Sequence, residues 1–261
     1  TITLEAHNQR WLLALDLPLE LPENVRLTPS LEARSHEPVI SRARFSFTSA
    51  VDYVARREEQ PLLLKQALQL PPGGNPQARA LAASWQALGT PEAISGAALR
   101  LFRQEEFFYT LRPPLLGEQA IDDFLFSTRR GFCEHFAAAY VFLMRAAGVP
   151  ARVVTGYQGG EINPVDGYLI VRQSDAHAWA EIWVAGKGWR RVDPTGAVAP
   201  SRIEQGINAA LPVDDPLPAL IRLDLDLLLK LRYRWEAINN TWNQSVLGYN
   251  PQRQREALSR L

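Results

Sequence analysis

The apolar residues change period at Gly148, and that change limits what the chain can fold into. Upstream, Phe132, Phe136, Tyr140, Leu143 and Ala147 recur at the spacing of one helical face. Gly148-Val149-Pro150 then ends the helix, because glycine tolerates the left-handed turn at its C-terminus and proline cannot continue it. Downstream, residues 151–157, 168–172, 177–184 and 189–192 are β-branched or aromatic runs. Gly159-Gly160, Asp166-Gly167 and Gly186-Lys187-Gly188 separate them. One buried helix followed by a meander of antiparallel strands is an α+β layout.

The flanking regions read differently. Ile2-Thr3-Leu4-Glu5, residues 11–15 and residues 44–48 have the look of short strands, while Leu17-Pro18 and Leu21-Pro22 forbid a helix between them. Residues 1–58 are therefore expected to form a small β-rich N-terminal subdomain. Helices are predicted from Pro61 to about residue 68, from Pro76 to Leu88, and from Thr90 to about Glu106. In the last of these Thr90 is the N-cap and Pro91 the first helical residue. Residues 121–147 hold two more helical segments. A proline-rich connector covers residues 211–218, and residues 219–239 show an amphipathic helical pattern through Ile221, Leu225, Leu228, Leu231 and Trp235. A short arginine-containing tail runs from Asn250-Pro251 to Leu261. The expected division is 1–58, then a core at 59–205, then a linker and C-terminal helices at 206–261.

Composition excludes several classes. The 28 basic and 28 acidic residues cancel, so no polyanion-binding surface is indicated and no nucleic-acid partner is expected. A single cysteine rules out a disulfide framework and a thiolate-rich metal site. No acidic loop of the EF-hand kind occurs, so neither a metal nor another cofactor is expected. No run of about 18 apolar residues is present, so this stretch is not expected to cross a bilayer. The chain starts at Thr1 without a signal pattern, which reads as part of something longer.

The chemistry concentrates on few residues. Cys133 lies in the first turn of the predicted helix, where unpaired amides and the positive dipole end favour a thiolate. Only His7, His36, His135 and His177 are available as partners. His177 starts a predicted strand, with Ala178 and Ala180 leaving room on the opposite face. Asp193 ends the next strand of the same hairpin, so the two side chains can pair across the ladder. A helix N-terminus packed on that sheet brings Cys133 to the imidazole and completes a Cys–His–Asp arrangement. A buried free cysteine is also an ordinary packing residue, so these three residues alone leave catalysis open.

The surrounding motifs narrow the choice. Gly131-Phe132-Cys133-Glu134-His135, the run from Leu143 through Gly148-Val149-Pro150 to Gly156-Tyr157, Asp175-Ala176-His177-Ala178-Trp179, and Gly188-Trp189 with Val192-Asp193-Pro194-Thr195 resemble the transglutaminase-like superfamily in order and spacing. The likeness covers roughly residues 105–205. Tyr109-Thr110-Leu111-Arg112-Pro113-Pro114, residues 156–161 and Gly248-Tyr249-Asn250-Pro251 resemble its bacterial membrane-anchored branch.

That resemblance implies a papain-like, transglutaminase-like core, with the nucleophile helix packed on an antiparallel sheet. It implies Cys133 as nucleophile, His177 as acid/base and Asp193 as its orienting acid. The reaction implied is acyl transfer from a glutamine carboxamide to an amine through a thioester, giving a cross-link or, with water, deamidation. The partner is then a protein or peptide with a glutamine donor and an amine acceptor. The place implied is the periplasmic side of an inner membrane, anchored by segments outside this chain; a lone thiol also suits an oxidising space.

The Cys133 amide is the natural first oxyanion donor. Tyr109 is a candidate for the second, and Trp179 either walls the acyl channel or packs. His135, Glu134 and Asp175 read as structural, and Arg129-Arg130 as solvated surface. A cysteine hydrolase of peptide or cell-wall peptide bonds and a non-catalytic interaction module are the alternatives. Neither the substrate nor the oligomeric state is fixed by the sequence.

Overall fold

Short apolar runs broken by proline give short strands, and the N-terminal region is built of them. A computed structural model describes residues 1–201, 230 and 232–238. One compact unit comprises Thr1–Tyr53, Asn163–Tyr168 and the described residues from Leu223 onward. Its strands are β1 (Ile2–Leu4), β2 (Leu17–Glu20), β3 (Val25–Leu27), β4 (Ala33–Ser35), β5 (Ala43–Phe45) and β6 (Thr48–Ala50). They form three antiparallel pairs, β1 with β5, β2 with β6 and β3 with β4, around Leu4, Leu12, Val25, Ala33, Val39 and Phe45.

Two sequence expectations need correction here. Residues 11–15 make only an isolated bridge, Trp11 to Arg34. The Trp11 ring is taken up by stacking on His7 at 4.2 Å, and the chain turns away at Asp16, whose φ is 46°. Residues 44–48 split into β5 and β6 because the two halves pair with different partners. Leu17-Pro18, expected only to break a helix, lies in β2; the ladder shifts register after Pro18, which has no amide to give.

Among the described residues from Leu223 onward, 232–238 are helical, and Asn163 Nδ2 donates to the Tyr233 carbonyl at 2.9 Å. Ala237 is buried there whereas Trp235 is 67% exposed, so the expected apolar face does not run through Trp235. Ile221, Leu225, Leu228, Leu231, the 211–218 connector and the tail lie outside the described residues. No helix among the described residues is long and apolar enough to cross a membrane.

The second unit comprises Val54–Ile162 and the described part of Leu169–Arg222. It opens with α1 (Pro61–Gln66), α2 (Pro76–Trp85) and α3 (Pro91–Gln104). The Thr90 hydroxyl caps α3 by accepting from the Ala93 amide at 3.2 Å. Next come β7 (Phe108–Tyr109), α4 (Ala120–Asp122) with a π-helical turn at Asp123–Thr128, and β8 (Arg130–Gly131). Then follow α5 (Cys133–Ala146), β9 (Ala151–Tyr157), β10 (Glu161–Ile162), β11 (Leu169–Ile170), β12 (Ala176–Val184), β13 (Gly188–Val192) and α6 (Thr195–Val198).

A reciprocal clasp fixes the helices that precede α5. Asn75 sits in a left-handed conformation, φ 51°, ahead of α2. Its Oδ1 accepts from the Ile121 and Asp122 amides at 3.0 and 3.1 Å. The buried Asp122 carboxylate in turn accepts from the Gln77 and Ala78 amides at 2.9 and 2.8 Å. Each side chain thus satisfies helix N-terminal donors that the helix itself leaves without partners.

Most of α5 is buried, and small side chains at Ala137 and Ala139 let neighbouring elements come close. Its end is a Schellman arrangement: the Val149 amide donates to Met144 and the Gly148 amide to Arg145, with Gly148 at φ 87°. The helix packs on a three-stranded antiparallel sheet of order β13-β12-β9. Ala178, Ala180, Ile182 and Val184 of the central strand are buried, and Phe102, Phe107, Phe124 and Phe136 close the core with edge-on or tilted ring contacts. The expected strand at 168–172 shrinks to β11 and pairs only with β10, because Gly159 and Gly160, at φ 92° and 130°, lead the chain out of the main ladder.

Candidate active site

The cysteine comes from the head of α5, the histidine from the start of β12 and the aspartate from the residue after β13. Phe132 is extended, and the helix starts at Cys133. The sulfur-bearing residue is buried and packs with Ala137 on its own helix and Ala178 of β12, with Phe132 against them. The strand pairing places His177 opposite Gly156 of β9. Asp193 follows β13 directly, beyond the last ladder pair, Ala180 with Val192.

The imidazole links the other two. His177 Nε2 donates to Asp193 Oδ2 at 2.7 Å. The pair is diagonal rather than directly opposite, since the ladder stops one residue short of Asp193. The second carboxylate oxygen, Oδ1, accepts from the Thr195 amide at 3.1 Å, so both oxygens are held. Nδ1 of His177 is buried with no hydrogen-bond partner, and the Cys133 thiol is near enough to act on the ring.

Burial is the largest influence on His177 and lowers its pKa. Hydrogen bonds with Asp193 and Cys133, and then the charges of both, outweigh burial and hold the ring above the usual imidazole value. A raised imidazole beside a cysteine at a helix N-terminus favours the thiolate–imidazolium pair.

The other singled-out residues divide. Trp179 lies on the same strand face as His177, with ring centres 6.2 Å apart and planes 23° from parallel. Its ring passes over Gly156, where a Cβ would stand 2.8 Å from Cη2. Arg191 covers the ring from 4.2 Å and donates to Gln158 Oε1 at 3.2 Å. Tyr109 is buried in the phenylalanine-rich core, and its strand pairs in parallel with Gly131, two residues ahead of the cysteine.

Asp175 closes the turn into β12 by accepting from the Arg172 amide at 2.8 Å. Glu134 is exposed and His135 half-buried. Arg129, expected at the solvated surface, is instead part-buried, bonded to Glu105 at 2.9 Å and lying over the Phe107 ring at 5.8 Å. Among the described residues no group of His, Cys, Asp and Glu is arranged to hold a metal ion.

Three contributors escaped the sequence reading: Gly156, the Thr195 amide and Arg191. A glycine facing the histidine across a ladder and a threonine two residues after an aspartate were the available signals. The arginine gave none, because its role depends on which face of β13 it occupies.

A helix that presents a cysteine at its N-terminus to an antiparallel sheet bearing a His–Asp pair defines a papain-like α+β core. The model of the transglutaminase-like superfamily matches residues 79–194, and that of the TgpA N-terminal domain matches residues 1–56. The chain belongs to the transglutaminase-like superfamily.

The periplasmic domain of TgpA from Pseudomonas aeruginosa, a crystal structure, is similar with a TM-score of 0.78 and 46% identity. The match covers 80% of this chain and 73% of that one. A protein-glutamine gamma-glutamyltransferase from Pseudomonas aeruginosa is 43% identical over 99% of this chain, which spans 40% of that protein's length. The uncharacterized protein YebA of Bacillus subtilis is 40% identical over 86 residues, 31% of this chain and 12% of YebA.

Proposed function

We propose that this chain is the extracytoplasmic part of a membrane-anchored acyltransferase that joins a glutamine carboxamide to an amine through Cys133. The observation that carries the reading is the 2.7 Å bond between His177 and Asp193, on a ring that the Cys133 thiol at the head of α5 also holds toward its charged form. The kinship to a protein named glutamine gamma-glutamyltransferase supplies the substrate class, and the kinship to a periplasmic domain supplies the compartment.

The steps follow from the groups. The Cys133 thiolate attacks the carboxamide carbon, forming a carbon–sulfur bond and a tetrahedral oxyanion. The Cys133 amide meets that oxyanion, and Tyr109, carried by the strand beside Gly131, serves as the second donor. The imidazolium of His177 gives its proton to the leaving nitrogen, so ammonia departs and a thioester remains. An amine then attacks the thioester and passes its proton to the neutral His177. The thiolate leaves, and an isopeptide bond stands in its place. Water in the amine's role gives a glutamate. Asp193 keeps the Nε2 proton on the ring and stabilises the imidazolium in both halves.

The test uses a biotinylated primary amine and a glutamine-rich acceptor protein, with Cys133→Ala as the blank. Incorporation above the blank supports the reading. Cleavage of the acceptor without incorporation replaces it with the hydrolase, and neither outcome leaves an interaction module.

A further inference from the structure

Beside the triad, the turn that delivers the cysteine has its own support, and one side chain supplies most of it. Nδ1 of His135 accepts from the Phe132 amide at 3.4 Å. The His135 amide donates to the Phe132 carbonyl at 2.9 Å, so the same residue holds both polar groups of Phe132. Its ring stands edge-on to the Phe132 ring at 4.6 Å and tilted to Phe124 at 5.7 Å. Gly131 passes so close that a Cβ there would lie 2.7 Å from His135 Cβ. The next peptide carries the Cys133 amide, one of the helix N-terminal donors for which the helix has no acceptor.

We propose that His135 is a positioning residue, whose neutral imidazole accepts the Phe132 amide and thereby holds the Phe132–Cys133 peptide in place for the thiol and its oxyanion site. The proposal rests on the reading of Cys133 as nucleophile.

The direction of pH dependence follows from the acceptor role. A protonated Nδ1 is a donor and repels the amide that it held. Burial lowers the pKa of His135, and the charge of Glu134 opposes that. The π-helical turn contributes Phe124 and β8 contributes Gly131 to its surroundings, neither of which is charged. The clamp therefore closes at neutral pH and opens on acidification below the ordinary imidazole value.

Two substitutions separate the acceptor from the ring. His135→Asn keeps an acceptor atom, Oδ1, at the place of Nδ1 but cannot take a proton. His135→Phe keeps the ring contacts and has no acceptor. The readout is the rate of iodoacetamide alkylation of the protein's single cysteine at neutral pH, which needs no acyl substrate.

The expected result is a rate for His135→Asn within about two-fold of the parent, and a loss of about five-fold for His135→Phe, the worth of one net hydrogen bond. The reverse order would reduce His135 to packing, and parental rates in both variants would remove it from the site. In the unsubstituted protein, hydrogen exchange at the Phe132 amide, corrected for intrinsic chemistry, is expected to lose protection as pH falls from 7 to 5. Unchanged protection overturns the proposal even if the phenylalanine variant fails to fold. Normal alkylation behaviour combined with absent amine incorporation would overturn the proposed transferase and leave the clamp standing.

Discussion

Replacing Asp193 with asparagine tests the electrostatics of the site with little change in shape. The carboxylate raises the pKa of His177 through a 2.7 Å hydrogen bond and through its charge, against burial, which lowers it. Asparagine removes the charge and its share of the raising influence, so the ring binds its proton less tightly than in the parent. A hydrogen bond to a charged group contributes about 1.5–3 kcal/mol. Each 1.36 kcal/mol is a factor of ten, so the thiolate–imidazolium population should fall by roughly 10- to 150-fold.

Alkylation of Cys133 by iodoacetamide at neutral pH should slow by that factor in Asp193→Asn. The deficit should shrink toward alkaline pH, where the thiol ionises without help from the imidazole. Amine incorporation should fall at least as far, because the same proton must be delivered to the leaving ammonia. Stability follows the same sign. A histidine whose folded pKa lies above its unfolded value stabilises the fold fully below the unfolded value and loses that contribution as pH rises through the folded one. The stability gap between parent and variant should therefore narrow as pH rises through the folded pKa. A folded Asp193→Asn protein that alkylates at the parental rate at neutral pH would refute the argument.

Other substitutions probe the support around the triad. Gly156→Ala should push the Trp179 ring off His177, since the new Cβ would meet it at 2.8 Å. Chemical denaturation should report a loss of about 1–3 kcal/mol, and the kcat for amine incorporation should fall with it. Tyr109→Phe should reduce kcat by roughly 10-fold or more if its hydroxyl serves the oxyanion, while KM stays near the parent's. Asp122→Ala should cost about 2–3 kcal/mol in thermal unfolding, because two amides at the head of α2 lose their carboxylate. The surviving folded Asp122→Ala protein should keep its parental alkylation rate.

The parts of this molecule governed by local rules could be read from the chain. Thr90 with Pro91, and Gly148 with Pro150, marked helix ends by side-chain chemistry alone, and the change of period at Gly148 marked the passage from α5 into the sheet. The N-terminal strands were harder, because residues 11–15 have strand composition but only Trp11 finds a bridging partner, and a strand exists only by its partner. β7, β8 and β10, two residues each, are too short to leave a period. The positions of Cys133 at a helix start and His177 near a strand start were legible from the change of period and the turn signals around them. The diagonal register of Asp193, the Arg191 cover on Trp179 and the hold of His135 on Phe132 depend on tertiary placement, which no spacing along the chain encodes.

The strand order β13-β12-β9 has a consequence for biosynthesis. Cysteine, histidine and aspartate emerge in that sequence from the ribosome, and the acid arrives last, just behind the edge strand. A nascent chain that has already made α5 and β12 still lacks the group that charges the imidazole. On the proposed mechanism, the carboxylate joins the cysteine and the imidazole only once the β12–β13 hairpin has closed.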